Sequence, residues 1–305
     1  MAEKQDLKNN TIWLIILFFV FLIINVSFKN QEVDISSLLS ISNRNFTERK
    51  MLSSLDIKAT SFIVYDMNKK EVVAGKNIDT EHPLASLNKI FAIYTFEKYR
   101  GETPVLTISE NALSVYGDYG FDIDDQINLD EAYRALLVAS SNDVAEAAQE
   151  ELKQNTDQDL VELMNTTAKE LGLEKTYFIN PSGLDEGDDI AGGYSSAREY
   201  ALFLDIFFNE YPLIAANTLT VKDEIKILNK DKYIELENTF KDLRNVPGIN
   251  FVKTGFTDLA GGNLAVIINK GLSQKYIIIV LGSTINERFS DVEKIANFIV
   301  KTNDL

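Results

Sequence analysis

Cysteine is absent from all 305 residues. That rules out disulfides, thiol nucleophiles and Cys-ligated zinc or iron–sulfur centres, and it fits a protein that works outside a reducing compartment. Histidine occurs once, at His82. A multi-histidine metal site is therefore impossible, and a Ser-His-Asp triad would have to use that single ring. His82 precedes Pro83 in what reads as a solvated loop. Basic residues are also short, 30 against 46 acidic, for a net charge of -16. Such a surface repels phosphate backbones, so nucleic acid is not an expected partner. The chain has no internal repeat and no low-complexity tract, and nothing in it calls for a metal or cofactor.

What is there begins with hydrophobicity. The composition is 45% hydrophobic and the chain is long enough for a sizeable core. TIWLIILFFVFLIINVSF, residues 11–28, carries no charge. At 1.5 Å per residue it would span roughly 27 Å, enough for a thin bilayer, while its inner run also fits a secretory h-region. No small-x-small cleavage pair follows Ile24, which favours an uncleaved signal anchor. Lys4 and Lys8 precede the run and Lys29 follows it, a weak positive-inside bias. The expected layout is a cytoplasmic N-terminus at 1–10, a transmembrane anchor at 11–28, a polar tether at 29–55 and an extracytoplasmic folded domain at 56–305.

Within that domain, SFIVYDM, NKK and EVVAGKN read as strand, turn and strand. A short strand follows near VLTIS. Helices are expected from about Leu129, from Asn142, through LVELMNTTAKELGL, and through SAREYALFLDIFFN with a serine cap at Ser195 or Ser196. INFVKTG, GNLAVIINK and KYIIIVLGS then switch to strand character, and a last helix runs from about Ser290 to Lys301. Strands at both ends around helices in the middle predict an α+β fold, with one antiparallel sheet built from N- and C-terminal segments and a helical region inserted between them.

The chemistry starts at PLASLNKIFAIYTF, residues 83–96. A helix apolar almost all round belongs at the centre of a domain, yet Lys89 stands at its head with Ser86 one turn before it. Burial disfavours an ammonium and leaves an amine able to accept a proton, so this pair can act as nucleophile and base without histidine. Alone, the pair is a weak signal and reads more readily as a surface lysine beside a capping serine. Two more segments bear on it: Ser140-Ser141-Asn142 between helical runs, and Lys253-Thr254-Gly255 on a strand-like run. Each has a plain reading as a helix cap or a strand end. In the order S-x-x-K, S-x-N, K-T-G they match the motifs of penicillin-binding proteins and serine β-lactamases.

The sequence resembles the low-molecular-mass penicillin-binding proteins of the D-alanyl-D-alanine carboxypeptidase family, the S11 serine peptidases. Beyond the three motifs, the turn Asn180-Pro181-Ser182-Gly183-Leu184, the stretch Tyr194–Glu199 and KTGFTDLAG from Lys253 are similar to family segments. The resemblance implies the penicillin-binding protein/β-lactamase-like transpeptidase fold. It implies Ser86 as acylated nucleophile, Lys89 as proton acceptor and Ser140 as proton relay to the leaving amine. Asn142 would hold the substrate amide, and Lys253 and Thr254 would receive a terminal carboxylate. Gly255 would let the strand approach substrate, and the amides of Ser86 and Phe256 would form an oxyanion hole. The implied substrate is a peptidoglycan stem peptide ending in D-Ala-D-Ala, with β-lactams as covalent inhibitors.

Three departures accompany the likeness. Ser141 stands where glycine is usual, Gly262 where an aromatic is common, and DEGDDIAGGY is longer and more acidic than the usual linker. The class A β-lactamase glutamate has no counterpart: Glu162-Leu163-Met164-Asn165 does not fit its motif, and the 180–184 turn holds no acid. Efficient β-lactam hydrolysis is therefore not expected. A D,D-carboxypeptidase is the leading reading, a D,D-endopeptidase using the same residues is the near alternative, and a non-catalytic wall-binding scaffold is a third.

Overall fold

The computed structural model describes residues 55–302 except 118, 241, 242 and 244. The expected 1–10 segment, the 11–28 anchor and nearly all of the 29–55 tether lie outside the described residues. Among those described, no helix is long and apolar enough to cross a membrane.

The sheet joins the two ends of the folded chain. Strands β1 (Ser61–Asp66), β2 (Glu71–Lys76), β10 (Ile249–Thr257), β11 (Gly261–Lys270) and β12 (Gln274–Ser283) lie in the order β10-β11-β12-β1-β2, with every neighbouring pair antiparallel. β1, β11 and β12 are apolar at nearly every position because both faces of the sheet are covered. Phe62, Val64, Val266, Ile278 and Val280 pack against Val292, Ile295 and Ile299 of the last helix, α8 (Glu287–Lys301). Their alternates Ile63, Tyr65, Ile267, Ile277 and Ile279 face the helical insertion. A strand covered on both sides loses the apolar-polar alternation of a half-exposed one.

That insertion is led by α1 (Asn88–Tyr99), buried at every position from Asn88 to Phe96, with Phe91 against the rings of Phe178 and Phe203. Around it stand α2 (Glu110–Ser114), α3 (Leu129–Arg134), α4 (Asn142–Thr156), α5 (Leu160–Glu170), α6 (Ala197–Glu210) and the short α7 (Pro212–Ala216). Side-chain caps set several starts. Asn128, Asp159 and Ser196 accept the amides of Glu131, Glu162 and Glu199, each sealing a helix N-terminus.

The remaining strands are short and are made by tertiary pairing; of them the sequence predicts only the one near VLTIS. β3 (Glu81–Pro83), β6 (Tyr177–Phe178) and β7 (Gly193–Ser196) form a three-stranded sheet, β4 (Val105–Thr107) pairs with β5 (Gln126–Asn128), and β8 (Lys222–Lys226) with β9 (Tyr233–Glu237). His82 corrects the loop reading. It sits in β3 opposite Ser195, half-buried, and that burial lowers its pKa.

Candidate active site

The Ser86 segment is shaped before any chemistry is considered. Ala85–Leu87 is one turn of 3₁₀ helix running into α1, so Ser86 lies just ahead of the regular helix and not inside it. Ala85 has φ 52°, a left-handed conformation uncommon for a residue with a Cβ. Its neighbours hold it there. The backbone of Gly183, itself at φ +83°, passes so close that a Cβ would lie 1.9 Å from the Ala85 carbonyl oxygen. Asn263 on β11 donates to the carbonyls of Pro83 and Leu84, and buried Tyr200 donates to that of Leu87.

Lys89 is fully buried, 0% exposed. Its Nζ lies 2.8 Å from Ser86 Oγ, 2.7 Å from Asn142 Oδ1 and 2.7 Å from the Ser182 carbonyl oxygen. Desolvation pushes its pKa well down, and the cationic Lys253 nearby adds to the shift. The proton geometry follows. Asn142 is oriented by donating its amide nitrogen to the Tyr116 carbonyl at 2.6 Å, so its oxygen must face Lys89. Two of the three Lys89 partners are thus pure acceptors. A neutral amine has two N–H groups and one lone pair, and the N–H groups are taken by Asn142 and Ser182. The lone pair is left for the Ser86 hydroxyl proton.

The opposite wall comes from the end of α3, which continues as a wide turn through Ala135–Ala139 and closes at Ser140, φ 62°. Ser141 then caps α4 by accepting the Val144 amide at 3.2 Å. A glycine there could not do so, which accounts for the departure at that position. Ser140 Oγ accepts from Lys253 Nζ at 2.8 Å, and Lys253 is 1% exposed. Burial, with the Arg288 guanidinium beside it, pushes the Lys253 pKa down to about 7.

The third wall is β10, an edge strand of the main sheet. A Cβ on Gly255 would lie 2.8 Å from the Leu84 carbonyl oxygen and 3.3 Å from the Ser86 nitrogen. Glycine is required here for the strand to reach the Ser86 turn, rather than only for access to a substrate as the sequence suggested. Gly262 is explained similarly, since a Cβ would meet the Thr284 carbonyl oxygen at 2.1 Å and an aromatic has no room. Thr254 is buried with its hydroxyl 2.5 Å from that of Thr239, and Phe256 is 47% exposed at the strand end.

The structure therefore brings Ser86, Lys89, Ser140, Asn142 and Lys253 into two hydrogen-bonded groups, with Thr254, Gly255 and Phe256 on the adjoining strand. It also supplies partners that the sequence reading left without roles. Ser182 offers a carbonyl from a turn in which Asn180 accepts from the Ser182 hydroxyl and the Gly183 amide. Asp185, in the long acidic linker, accepts from Thr257 Oγ1 at 2.8 Å and the Leu259 amide at 3.1 Å. Arg288 of α8 donates to the Gly255 carbonyl at 2.6 Å. The 180–184 turn was visible as a motif, whereas a lone arginine at the head of the last helix carried no signal.

A buried lysine hydrogen-bonded to a serine, a second buried lysine bridged to another serine, and a glycine-thinned edge strand are an arrangement able to carry serine-lysine acyl transfer. The family model described as D-alanyl-D-alanine carboxypeptidase, peptidase S11, matches residues 24–284. The chain belongs to that family. It is 30% identical over 255 residues to the D-alanyl-D-alanine carboxypeptidase DacF of Bacillus subtilis, covering 82% of this chain and 64% of that protein. With DacA of Escherichia coli K12 the identity is 29% over 257 residues, 78% of this chain and 60% of that one. The chain thus spans somewhat under two thirds of these curated relatives. Among solved structures, penicillin-binding protein D2 of Listeria monocytogenes in its ampicillin-bound form is similar with a TM-score of 0.69 and 28% identity, over 80% of this chain and 98% of that one. The penicillin-binding protein/transpeptidase fold expected from the motifs is the fold observed.

Proposed function

We propose that this protein is a serine D,D-carboxypeptidase that removes the terminal D-alanine from peptidoglycan stem peptides through a Ser86 acyl-enzyme. The observation that carries it is the Lys89 amine, buried away from any carboxylate and 2.8 Å from Ser86 Oγ. Lys89 takes the Ser86 proton as Oγ attacks the D-alanyl carbonyl. The oxyanion is met by the Ser86 and Phe256 amides, preorganised donors of the kind worth a few kcal/mol in acyl transfer. Asn142 holds the substrate amide. As the tetrahedral adduct collapses, the leaving amine receives a proton through Ser140, whose hydroxyl is bridged to Lys253. Lys253 and Thr254 receive the terminal carboxylate, with Arg288 adding positive potential behind the strand. Water then attacks the ester and regenerates Ser86.

β-Lactams should acylate the same serine, since a strained amide beside a carboxylate resembles acyl-D-Ala-D-Ala. The acceptor nearest Lys89 from the 180–184 turn is the Ser182 carbonyl, which cannot activate a water as a carboxylate would. The opened lactam also stays tethered where water must approach. Intact-protein mass spectrometry with benzylpenicillin should show one lasting adduct on Ser86, absent from Ser86→Ala, and pentapeptide should lose one D-alanine. Rapid turnover of penicillin, or an adduct on Ser86→Ala, would overturn the reading.

The 11–28 segment would hold the enzyme at the membrane with its domain on the extracytoplasmic side. Detergent and not high salt should release it, with its N-terminus intact, because an apolar span is not held by screened charge. A soluble protein beginning near Phe28 would refute the anchor.

A further inference from the structure

Arg288, at the head of α8, is a buried cation with no acid beside it. It is 5% exposed, its Nε has no hydrogen-bond partner, and it forms no salt bridge among the described residues. It touches two backbone carbonyls, those of Gly255 at 2.6 Å and Asn263 at 3.3 Å, and the Phe289 ring. Burial pushes its pKa down to about 10, which leaves it protonated at neutral pH, and its charge lowers the pKa of buried Lys253. An unpaired buried guanidinium is costly to a fold, and a neutral donor could satisfy a carbonyl at less expense.

The Gly255 carbonyl, however, shares a peptide unit with the Phe256 amide, one of the two donors assigned to the oxyanion hole. In a trans peptide the C=O and N–H point in opposite directions, and every peptide bond among the described residues is trans. The same Arg288 Nη1 reaches the Gly255 carbonyl and that of Asn263 on the neighbouring strand, so the Gly255 carbonyl is drawn toward β11. The Phe256 N–H is thereby turned the other way, to the free edge of the sheet. Gly255 itself lies against the Ser86 turn, where a Cβ would be 3.3 Å from the Ser86 nitrogen, the other assigned donor. The two donors are backed differently. The Ala85 carbonyl, at the far end of the Ser86 peptide unit, accepts the neutral Asn88 amide, whereas the Gly255 carbonyl accepts a guanidinium. A hydrogen bond from a charged donor is roughly twice as strong as a neutral one, and it polarises the peptide so that its N–H donates better.

We propose that Arg288 is a positioning residue of the oxyanion hole, fixing the Gly255–Phe256 peptide plane and polarising the Phe256 N–H toward the developing oxyanion. The inference rests on the Ser86 acyl-transfer reading and goes beyond the positive potential that Arg288 lends to carboxylate binding. It is tested on the full chain acylated with benzylpenicillin that carries carbon-13 at the lactam carbonyl, by infrared difference spectroscopy of the ester carbonyl. Arg288→Met should move that band to higher wavenumber, because a weaker donor leaves more double-bond character in the C=O. Its kcat for pentapeptide should fall about 10-fold, short of the roughly 10²–10³-fold for deleting an oxyanion donor, with KM within about two-fold. A C-terminal amide peptide should lose as much as the free acid, since both pass through the same oxyanion. Arg288→Gln keeps a neutral donor, should move band and rate the same way by less, and carries the test if the Met variant does not fold. An unmoved band in the folded variant would overturn the proposal, and so would a loss confined to KM for free-acid peptides. Failure of the native chain to form the Ser86 adduct would instead remove the acyl-transfer reading.

Discussion

Two groups of lysines in this molecule meet opposite fates. At the tip of the β8–β9 hairpin, Lys230 lies 2.5 Å and Lys232 2.9 Å from the carboxylate of Asp125, which is 0% exposed. Burial alone would lower the Lys232 pKa, but hydrogen bonds to Asp122 and Asp125 outweigh it and the pKa rises. Lys89 and Lys253 are buried beside a serine hydroxyl and neutral oxygens, so nothing offsets desolvation and both are pushed down. The hairpin lysines are ion-paired and fasten the wall that carries Tyr119. The cleft lysines become chemical groups. Burial by itself does not make a reactive lysine; burial without an acid does.

The comparison breaks first at Lys89. Lys89→Arg keeps a cation that cannot accept a proton, and acylation by benzylpenicillin should fall by about 10³-fold or more while far-ultraviolet circular dichroism and the melting transition stay those of a folded protein. Near-native acylation would show that another group is the base.

Stability against pH sharpens it next. The Lys253 pKa is about 7 in the fold, below its unfolded value of 10.5, so the unfolded chain binds more protons between those limits. Wild-type stability should therefore rise with pH from about 7 to 10.5, the penalty being full below 7. Lys253→Met removes that term. Its stability relative to wild type, from urea unfolding at pH 6 and pH 10, should be higher at the acid end by a few kcal/mol. A difference that does not vary with pH would mean Lys253 is charged in the fold.

Recognition of carboxylate should show a smaller effect. Lys253→Ala should lower kcat/KM for a free-acid pentapeptide by about 10–100-fold, and much less for its C-terminal amide, in line with a hydrogen bond between charged groups. Equal losses would assign the lysine another role. The smallest effect belongs to the hairpin. Lys232→Met leaves Lys230 on Asp125 and should cost about 1 kcal/mol in urea unfolding, a loss that shrinks in high salt. A salt-independent loss would mean that packing, not charge, holds the tip.

Much of this was legible in the chain because it is written locally. SFIVYDM, the three apolar runs near the C-terminus and the serine at position 196 each act over a few residues, and β1, β10, β11, β12 and α6 appear where they predict. The motifs were legible for the same reason, since Ser86 and Lys89 are one turn apart whatever surrounds them. The small strands β3, β6 and β7 were not, because two to four residues gain strand geometry only from a partner many positions away.

By itself, then, the sequence determined the sheet's strands, the apolar central helix and which residue types could do chemistry without cysteine or a histidine triad. The tertiary structure decided which atoms they use. Asn142 and Ser182 come from 53 and 93 positions beyond Lys89 to occupy its two N–H groups, and that leaves its lone pair on Ser86. Gly183 and Gly255, far apart in the chain, press on the same turn because neither has a Cβ. A proton's direction depends on where acceptors sit in space, and dense packing fixes those positions only once the distant segments have met.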